Sequence, residues 1–141
     1  MVMQYLRKYS IKMPIKNNSR GEIMQVMERL EGDVLVLMIS GRLSFYSRKV
    51  FQAVINNASA TRAHHIIVNM RNVTCIDSAA LGFLALAQLN LDGKNVGMSL
   101  VAPPKHIKNM LEKVNFTKLI PTYETEKQVL SERAFILGQS A

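Results

Sequence analysis

The residues of this sequence that could do chemistry are an acid and a hydroxyl side by side, Asp77 and Ser78. They follow the stretch "NVTCI" (72–76), whose apolar residues alternate as in a strand, and precede an apolar stretch typical of a helix. A carboxylate and a hydroxyl at such a junction can act in nucleophilic catalysis if a base is near. They can also serve the structure alone, with Ser78 as the helix cap and Asp77 interacting favourably with the helix dipole.

Catalysis by Ser78 requires a general base within hydrogen-bond reach. The candidate bases are His64, His65 and His106. The first two open the predicted strand whose far end leads to Ser78, so we expect them at the opposite end of the sheet. The third lies in a charged helix start, and the segment "DSAALG" lacks the G-x-S-x-G pattern of a hydrolase elbow. The sequence therefore argues against a serine hydrolase.

Metal and phosphate sites find no support in the sequence either. One Cys and three His without ligand spacing do not predict a metal centre. A phosphate loop needs a glycine-rich segment followed by Lys and Ser or Thr, and the chain has none. We therefore expect no catalytic residue, no metal and no cofactor, and the protein is not predicted to be an enzyme.

The elements that position Asp77 and Ser78 alternate between strands and helices from residue 22 onward. Strands are predicted at 34–40, 64–70, 96–102 and 118–123. The apolar spacing within 22–30 alone would suit a helix, but the turn that follows favours a strand there as well. One apolar face predicts helices within 44–59 and 103–114, with Ser44 as an N-cap of the first. The stretch 79–91, apolar almost all round, and the stretch 124–137 are also predicted to be helices. A turn at "GD" (32–33) makes the first two strands a hairpin, and the helix between the second and third implies parallel pairing. The predicted fold class is α/β, a single domain with a mixed sheet and helices packed against it.

Charge is concentrated at the N-terminus. Residues 1–20 hold five of the 18 basic residues and no acidic one. We expect residues 1–21 to be a flexible basic arm, 22–135 to be the domain and 136–141 to be a C-terminal tail. The arm could alternatively touch an acidic protein, nucleic acid or anionic lipid. The rest of the chain shows no dense basic helix face, so nucleic acid is not a predicted partner.

The compartment follows from the cysteine count and the hydropathy pattern. The single Cys fits a reducing cytoplasm. No apolar run reaches the roughly 18 residues of a membrane span, so we expect no stable membrane insertion. The N-terminus lacks the apolar region of a secretory signal, and the expected location is the cytoplasm.

Two junction segments, "GRLSFYS" and "NVTCIDSAALGFL", resemble those of the STAS domain family and, more narrowly, of the bacterial anti-sigma factor antagonists. In that family the segment D-S-[S/T/A]-[G/A]-L-G follows a central strand, and here it is Asp77 to Gly82. The later segments 94–120 and 123–130 fit the family's closing order of strand, helix, short strand and helix. The resemblance covers about residues 22–135.

The resemblance implies that Ser78 is phosphorylated by a partner serine kinase that is also an anti-sigma factor. A PP2C-type phosphatase is the second implied partner. Ser78 would then be a substrate for another protein's active site and would need no base of its own. The implied partner-binding residues are Asp77, Ser78, Ala79, Leu81, Gly82 and Ser44. Many members have Asp where this chain has Ser44, so that position could instead cap a helix.

Three other functions remain open at this point. The first is a STAS docking subunit of a transporter or larger signalling assembly, with Ser78 as a structural helix cap. The second is a nucleic-acid or membrane-surface binder that uses residues 1–20. The third is a small-molecule enzyme, against which the lack of a base near Ser78 counts.

Overall fold

Strands and helices alternate along the chain, as the α/β class requires. The computed structural model describes residues 4–10 and 24–139. The strands are β1 (Gln4–Ser10), β2 (Gln25–Glu31), β3 (Val34–Leu43), β4 (His65–Ile76), β5 (Gly97–Val101) and β6 (Thr122–Tyr123). The helices are α1 (Arg48–Ser59), α2 (Ser78–Asp92), α3 (Lys105–Lys113), α4 (Phe116–Leu119) and α5 (Glu126–Gln139). A short 3-10 helix, Phe45–Ser47, precedes α1 and is called the aromatic turn below.

The sheet is mixed, and its strands lie side by side in chain order from β1 to β6. β1, β2 and β3 pair antiparallel, whereas β3, β4, β5 and β6 pair parallel. Gly32 has a φ of 62° in the turn between β2 and β3, a conformation that glycine adopts at little cost. The predicted hairpin and the predicted parallel βαβ unit are both confirmed.

Apolar side chains on both faces of the sheet are covered by helices. The larger cluster lies against α1, α2 and α3, and its fully buried members include Leu35, Leu37, Phe51, Ile66, Leu84 and Ile107. The smaller cluster lies against α5 and contains Val34, Val36, Ile67, Val101 and Val129. Each fully buried Leu, Ile or Phe contributes about 1.5 to 3 kcal/mol of transfer free energy, so the two clusters hold the helices on the sheet.

The N-terminal segment differs from the sequence expectation. Gln4–Ser10 form strand β1 instead of a flexible arm, since the outer edge of β2 offers backbone groups for pairing. The register places Arg7 opposite Glu28, a carboxylate that is only 2% exposed. The part of the arm within 11–23 lies outside the described residues, and the domain limits stay a prediction.

The C-terminal part also differs in two places. The strand predicted at 118–123 is only Thr122–Tyr123, because α4 occupies Phe116–Leu119. Asn115 takes a left-handed conformation with φ 58° and starts this extra turn, which buries Phe116 and Ile120. Helix α5 continues to Gln139, four residues into the segment assigned to a tail.

Candidate functional site

The site lies where β3 and β4 end side by side. The parallel register pairs Leu43 with Ile76, so the residues that follow, Ser44 and Asp77, leave the same edge of the sheet. The Asp77 N–H donates to the Leu43 carbonyl at 3.3 Å. This contact brings the aromatic turn beside the first turn of α2.

Asp77 caps α2. Its Oδ1 accepts from the Ala80 N–H at 2.9 Å, and its backbone is extended with φ −112° and ψ 176°. Its Oδ2 accepts from the Phe45 N–H of the aromatic turn at 3.0 Å. The sequence alternative of Ser78 as the helix cap is therefore wrong: the carboxylate takes the cap position, and Ser78 becomes the first helical residue.

Ser78 is exposed, and its hydroxyl makes no hydrogen bond within the described residues. The histidines have other contacts. The His65 Nε2 and Ser99 Oγ atoms are hydrogen-bonded at 2.8 Å near the amino ends of β4 and β5, as expected for that histidine. The His106 Nε2–H donates to the Thr74 carbonyl at 2.9 Å. Ser78 is thus a reachable hydroxyl with no hydrogen-bonded base in the part of the chain that the structure describes.

Ser44 is nearly buried and organises the aromatic turn. Its hydroxyl accepts from the Tyr46 N–H at 3.3 Å, and its own N–H donates to the Ser47 Oγ at 2.8 Å. Ser47 in turn donates to the Ser44 carbonyl at 2.8 Å. This reciprocal capping confirms Ser44 as an N-cap and leaves 9% of its surface exposed.

Two exposed aromatic side chains project from the turn, and the sequence analysis did not single them out. Phe45 is 46% exposed and Tyr46 is 58% exposed, with their ring centroids 5.6 Å apart in a T-shaped contact. The Arg48 guanidinium lies 3.8 Å from the Phe45 ring centroid, and its Nη1 donates to the Phe45 carbonyl at 3.0 Å. Exposed aromatic residues beside Arg are typical of binding hot spots. Their position in "GRLSFYS", directly after the end of a predicted strand, is the sequence feature that could have indicated their exposure.

Helix α2 carries apolar residues both on its buried face and on its exposed face. Its buried residues are Ala80, Leu84, Ala87 and Leu91. The opposite face carries Ser78, Gly82, Leu86 and Leu89, called the outer stripe below. Leu86 and Leu89 are 61% and 60% exposed, which is unusual for leucines on a helix that already has a buried face. The outer stripe runs about 16 Å along the helix from Ser78, given 1.5 Å per residue.

Five of the six predicted partner-binding residues lie at the start of α2, whereas the sixth, Ser44, is nearly buried in the adjacent segment. Asp77, Ser78 and Gly82 are exposed, whereas Ala79 and Leu81 are half-buried. Among the described residues, a Cβ atom built on Gly82 would meet nothing within 4 Å. The structure therefore brings the predicted α2 residues together with Phe45, Tyr46, Leu86 and Leu89.

The described residues contain neither a cluster of metal ligands nor a helix able to span a membrane. No group of three or more potential ligands from His, Cys, Asp and Glu lies together there. None of the helices in 24–139 combines the length and hydropathy needed to cross a bilayer.

Comparison with known protein sequences identifies similar chains. The model of the STAS domain matches residues 25–129. A STAS-domain-containing protein of Pseudomonas aeruginosa is 30% identical over 89 residues, which are 63% of this chain and 87% of that protein. An anti-sigma F factor antagonist of Paenibacillus polymyxa is 28% identical over 109 residues, which are 75% of this chain and 91% of that protein.

Comparison with solved structures shows the same fold. An anti-sigma factor antagonist of Mycobacterium paratuberculosis superposes with a TM-score of 0.71 at 20% identity, covering 78% of this chain and 93% of that one. The phosphorylated form of SpoIIAA, a Bacillus cell fate determinant, gives 0.58 at 17% identity over 78% and 98%. The murine anion transporter Slc26a9 gives 0.64 at 19% identity, over 72% of this chain and 18% of the transporter.

Proposed function

Because the chain belongs to the STAS domain family, we propose that it is an anti-sigma factor antagonist that acts as a phosphorylatable switch. The unphosphorylated form binds a serine-kinase anti-sigma factor, and phosphorylation of Ser78 releases that partner. A PP2C-type phosphatase restores the binding form. The protein itself is not an enzyme in this proposal, and the ATP that the kinase consumes places the reaction in the cytoplasm.

The observation that carries the proposal is the setting of Ser78. Its hydroxyl is exposed, makes no hydrogen bond within the described residues and stands at one end of the outer stripe. A hydroxyl without a base is a poor nucleophile by itself but a suitable substrate for an enzyme that supplies the base. The exposed leucines Leu86 and Leu89 give a docked kinase an apolar surface beside its target.

The chemistry of the switch is a phosphoryl transfer whose machinery belongs to the kinase. The Ser78 oxygen forms a bond to the γ-phosphorus of ATP, the bond from that phosphorus to the ADP oxygen breaks, and the hydroxyl proton passes to the kinase's base. The kinase also supplies Mg²⁺. The phosphatase reverses the modification by hydrolysis, with water as acceptor and inorganic phosphate as product.

The charge change explains release of the partner without unfolding of the domain. A phosphoserine carries roughly −1.5 to −2 charges at pH 7. The amino end of α2 favours a negative charge, so the domain tolerates it. An interface packed over Ser78 would instead enclose a dianion beside the Asp77 carboxylate, and desolvating an unpaired charge is costly.

The test is a pulldown from the native host with wild-type protein and with Ser78→Ala and Ser78→Asp variants, analysed by mass spectrometry for partners and phosphosites. We expect a serine kinase with the wild type and Ser78→Ala, its loss with Ser78→Asp, and phosphate on Ser78 alone. Ser131→Asp, an exposed serine on α5, is the matched control and should retain the kinase. Identical partners for Ser78→Ala and Ser78→Asp, with Ser78 never modified, would overturn the proposal.

The exposed apolar face of α2 also suits a second function, that of a docking subunit for a transporter or larger signalling assembly. The observation in its favour is that Leu86 and Leu89 offer a docking surface whether or not Ser78 is modified. In that case Ser78→Asp would still co-purify with wild-type partners, and those partners would include a transporter ATPase instead of a kinase.

A further inference from the structure

The two oxygens of Asp77 bind two different elements. Oδ1 accepts from Ala80 in α2 at 2.9 Å, and Oδ2 accepts from Phe45 in the aromatic turn at 3.0 Å. Residue 78, the proposed phosphosite, is the immediate neighbour of this carboxylate. One side chain therefore connects the site of modification to the segment that carries the exposed aromatic pair.

We propose that Asp77 is a positioning residue that holds the aromatic turn in place, and that a phosphate on Ser78 releases this turn by displacing the carboxylate. The inference rests on the proposed function because it takes Ser78 as the phosphosite. It adds a conformational consequence, in that phosphorylation changes how Phe45 and Tyr46 are presented to a partner.

The competition is for the same backbone donor. The Ala80 N–H is shared between the Asp77 carbonyl at 3.1 Å and the Asp77 Oδ1 at 2.9 Å. A phosphoserine at the first position of α2 seeks donors in that first turn and also repels the adjacent carboxylate. Asp77 is exposed, so its side chain can turn into solvent when it is displaced.

Displacement leaves the Phe45 N–H without its carboxylate acceptor. The aromatic turn keeps its Ser44–Ser47 bonds and the Arg48 contact, but these lie within the turn and its own helix. Within the described residues, the hydrogen bond to Asp77 Oδ2 is the one that joins the Phe45 N–H to α2. The expected response is therefore local motion of the turn, with the sheet unchanged.

The test uses the full chain with phosphoserine incorporated at position 78 during translation, in the wild-type and Asp77→Asn backgrounds. Asparagine remains a good helix cap, but its amide has a single oxygen, which cannot occupy the Oδ1 and Oδ2 positions of the carboxylate at the same time. Water exchange of the Phe45 N–H is measured by NMR and normalised to Val68, a buried residue of β4. This normalisation removes any effect of global stability.

We expect phosphoserine 78 to accelerate Phe45 exchange about tenfold, as loss of a hydrogen bond to a charged acceptor would. Asp77→Asn alone should accelerate it similarly, and phosphoserine should add nothing in that background. Phosphoserine at Ser131 on α5 is the charge-matched control and should leave Phe45 unchanged.

Two results would overturn the inference. One is unchanged Phe45 exchange with phosphoserine 78, and the other is an equal acceleration in both backgrounds, which would show that the phosphate acts without Asp77. Neither result depends on whether a kinase modifies Ser78 in the host. The inference can thus fail while the proposed function stands, and the host pulldown can contradict the proposed function independently.

Discussion

The Asp77 carboxylate accepts a hydrogen bond from the backbone N–H of Phe45, a residue 32 positions earlier in the chain, at 3.0 Å. The parallel pairing of β3 with β4 makes this contact possible, because both strands end at the same edge of the sheet. Asp77 also caps α2, so one side chain satisfies donors of two elements. Asp77 thus has a structural role, the acceptance of these two hydrogen bonds, whether or not Ser78 is modified.

The double role of Asp77 predicts a graded loss of stability. Asp77→Ala removes the cap and the link to Phe45 and should lower the free energy of unfolding by about 2 kcal/mol. Asp77→Asn keeps the cap and should lower it by about 1 kcal/mol or less. Urea unfolding of both variants measures the difference. Asp92→Asn, at the other end of α2 where a negative charge is unfavourable, is the control and should not destabilise; equal losses for Ala and Asn would contradict the prediction.

Substitution of Gly82 should change helix stability and partner binding in opposite directions. A Cβ at this position would have no neighbour within 4 Å in residues 4–10 and 24–139, and alanine is the better helix former by about 0.5 to 1 kcal/mol. Gly82→Ala should therefore raise the melting temperature but weaken binding of the kinase, because the methyl group enters the proposed interface. Thermal unfolding and titration calorimetry provide the two measurements.

Gly93→Ala is the matched control for that experiment. Gly93 lies at the C-cap of the same helix, with a φ of −63° that alanine adopts readily, and a Cβ there would be 3.6 Å from the nearest backbone oxygen. This variant should fold and bind the kinase as the wild type does. If Gly82→Ala binds with unchanged affinity, the outer stripe is not in contact with the partner near residue 82.

The outer stripe should supply apolar contact area to the partner. Leu86→Gln together with Leu89→Gln replaces two exposed side chains by residues of similar helix propensity, so stability should change by less than about 0.5 kcal/mol. Loss of two interface leucines should weaken kinase binding about tenfold or more. Met110→Gln with Val114→Gln, two exposed apolar residues at α3, should leave affinity unchanged. Equal affinity loss for both pairs would indicate a non-specific effect.

The sequence predicted the class of fold because the class depends on local patterns, and the candidate site that it indicated stays a prediction. Apolar runs mark β3, β4 and β5, helical periodicity marks α1 and α3, and the D-S junction marks the carboxyl edge of the sheet. The sequence did not predict that Asp77, not Ser78, is the cap. Either residue type can cap a helix, and the choice depends on the Phe45 N–H, which only the tertiary structure brings within reach.

Two elements that the sequence did not indicate, β1 and α4, depend on features that leave no periodic pattern. Six of the seven residues of β1 are polar or aromatic, and the strand forms against the edge of β2 with Arg7 in register with Glu28. α4 depends on the left-handed conformation of Asn115 and on burial of Phe116. Neither feature produces a periodic pattern, so propensity favoured a flexible arm in one case and a strand in the other.

His65 makes the folded state sensitive to acid. Burial, and then the positive charge of Arg133 on α5, lower the pKa of its imidazole from 6.5 to about 4, although Asp33 and Glu132 act in the opposite direction. The ring is hydrogen-bonded to Ser99, which is 2% exposed. The unfolded chain therefore binds a proton at a higher pH than the folded chain does.

The sign of this difference predicts loss of stability on acidification. The contribution of His65 is fully present above about pH 6.5 and is lost as the pH falls through that value toward 4, because only the unfolded state gains the proton in this range. Urea unfolding at several pH values should show a smaller decline for His65→Gln than for the wild type. The same substitution at exposed His106 is the control and should leave the wild-type decline in place. An undiminished decline in His65→Gln would assign the acid sensitivity to other groups.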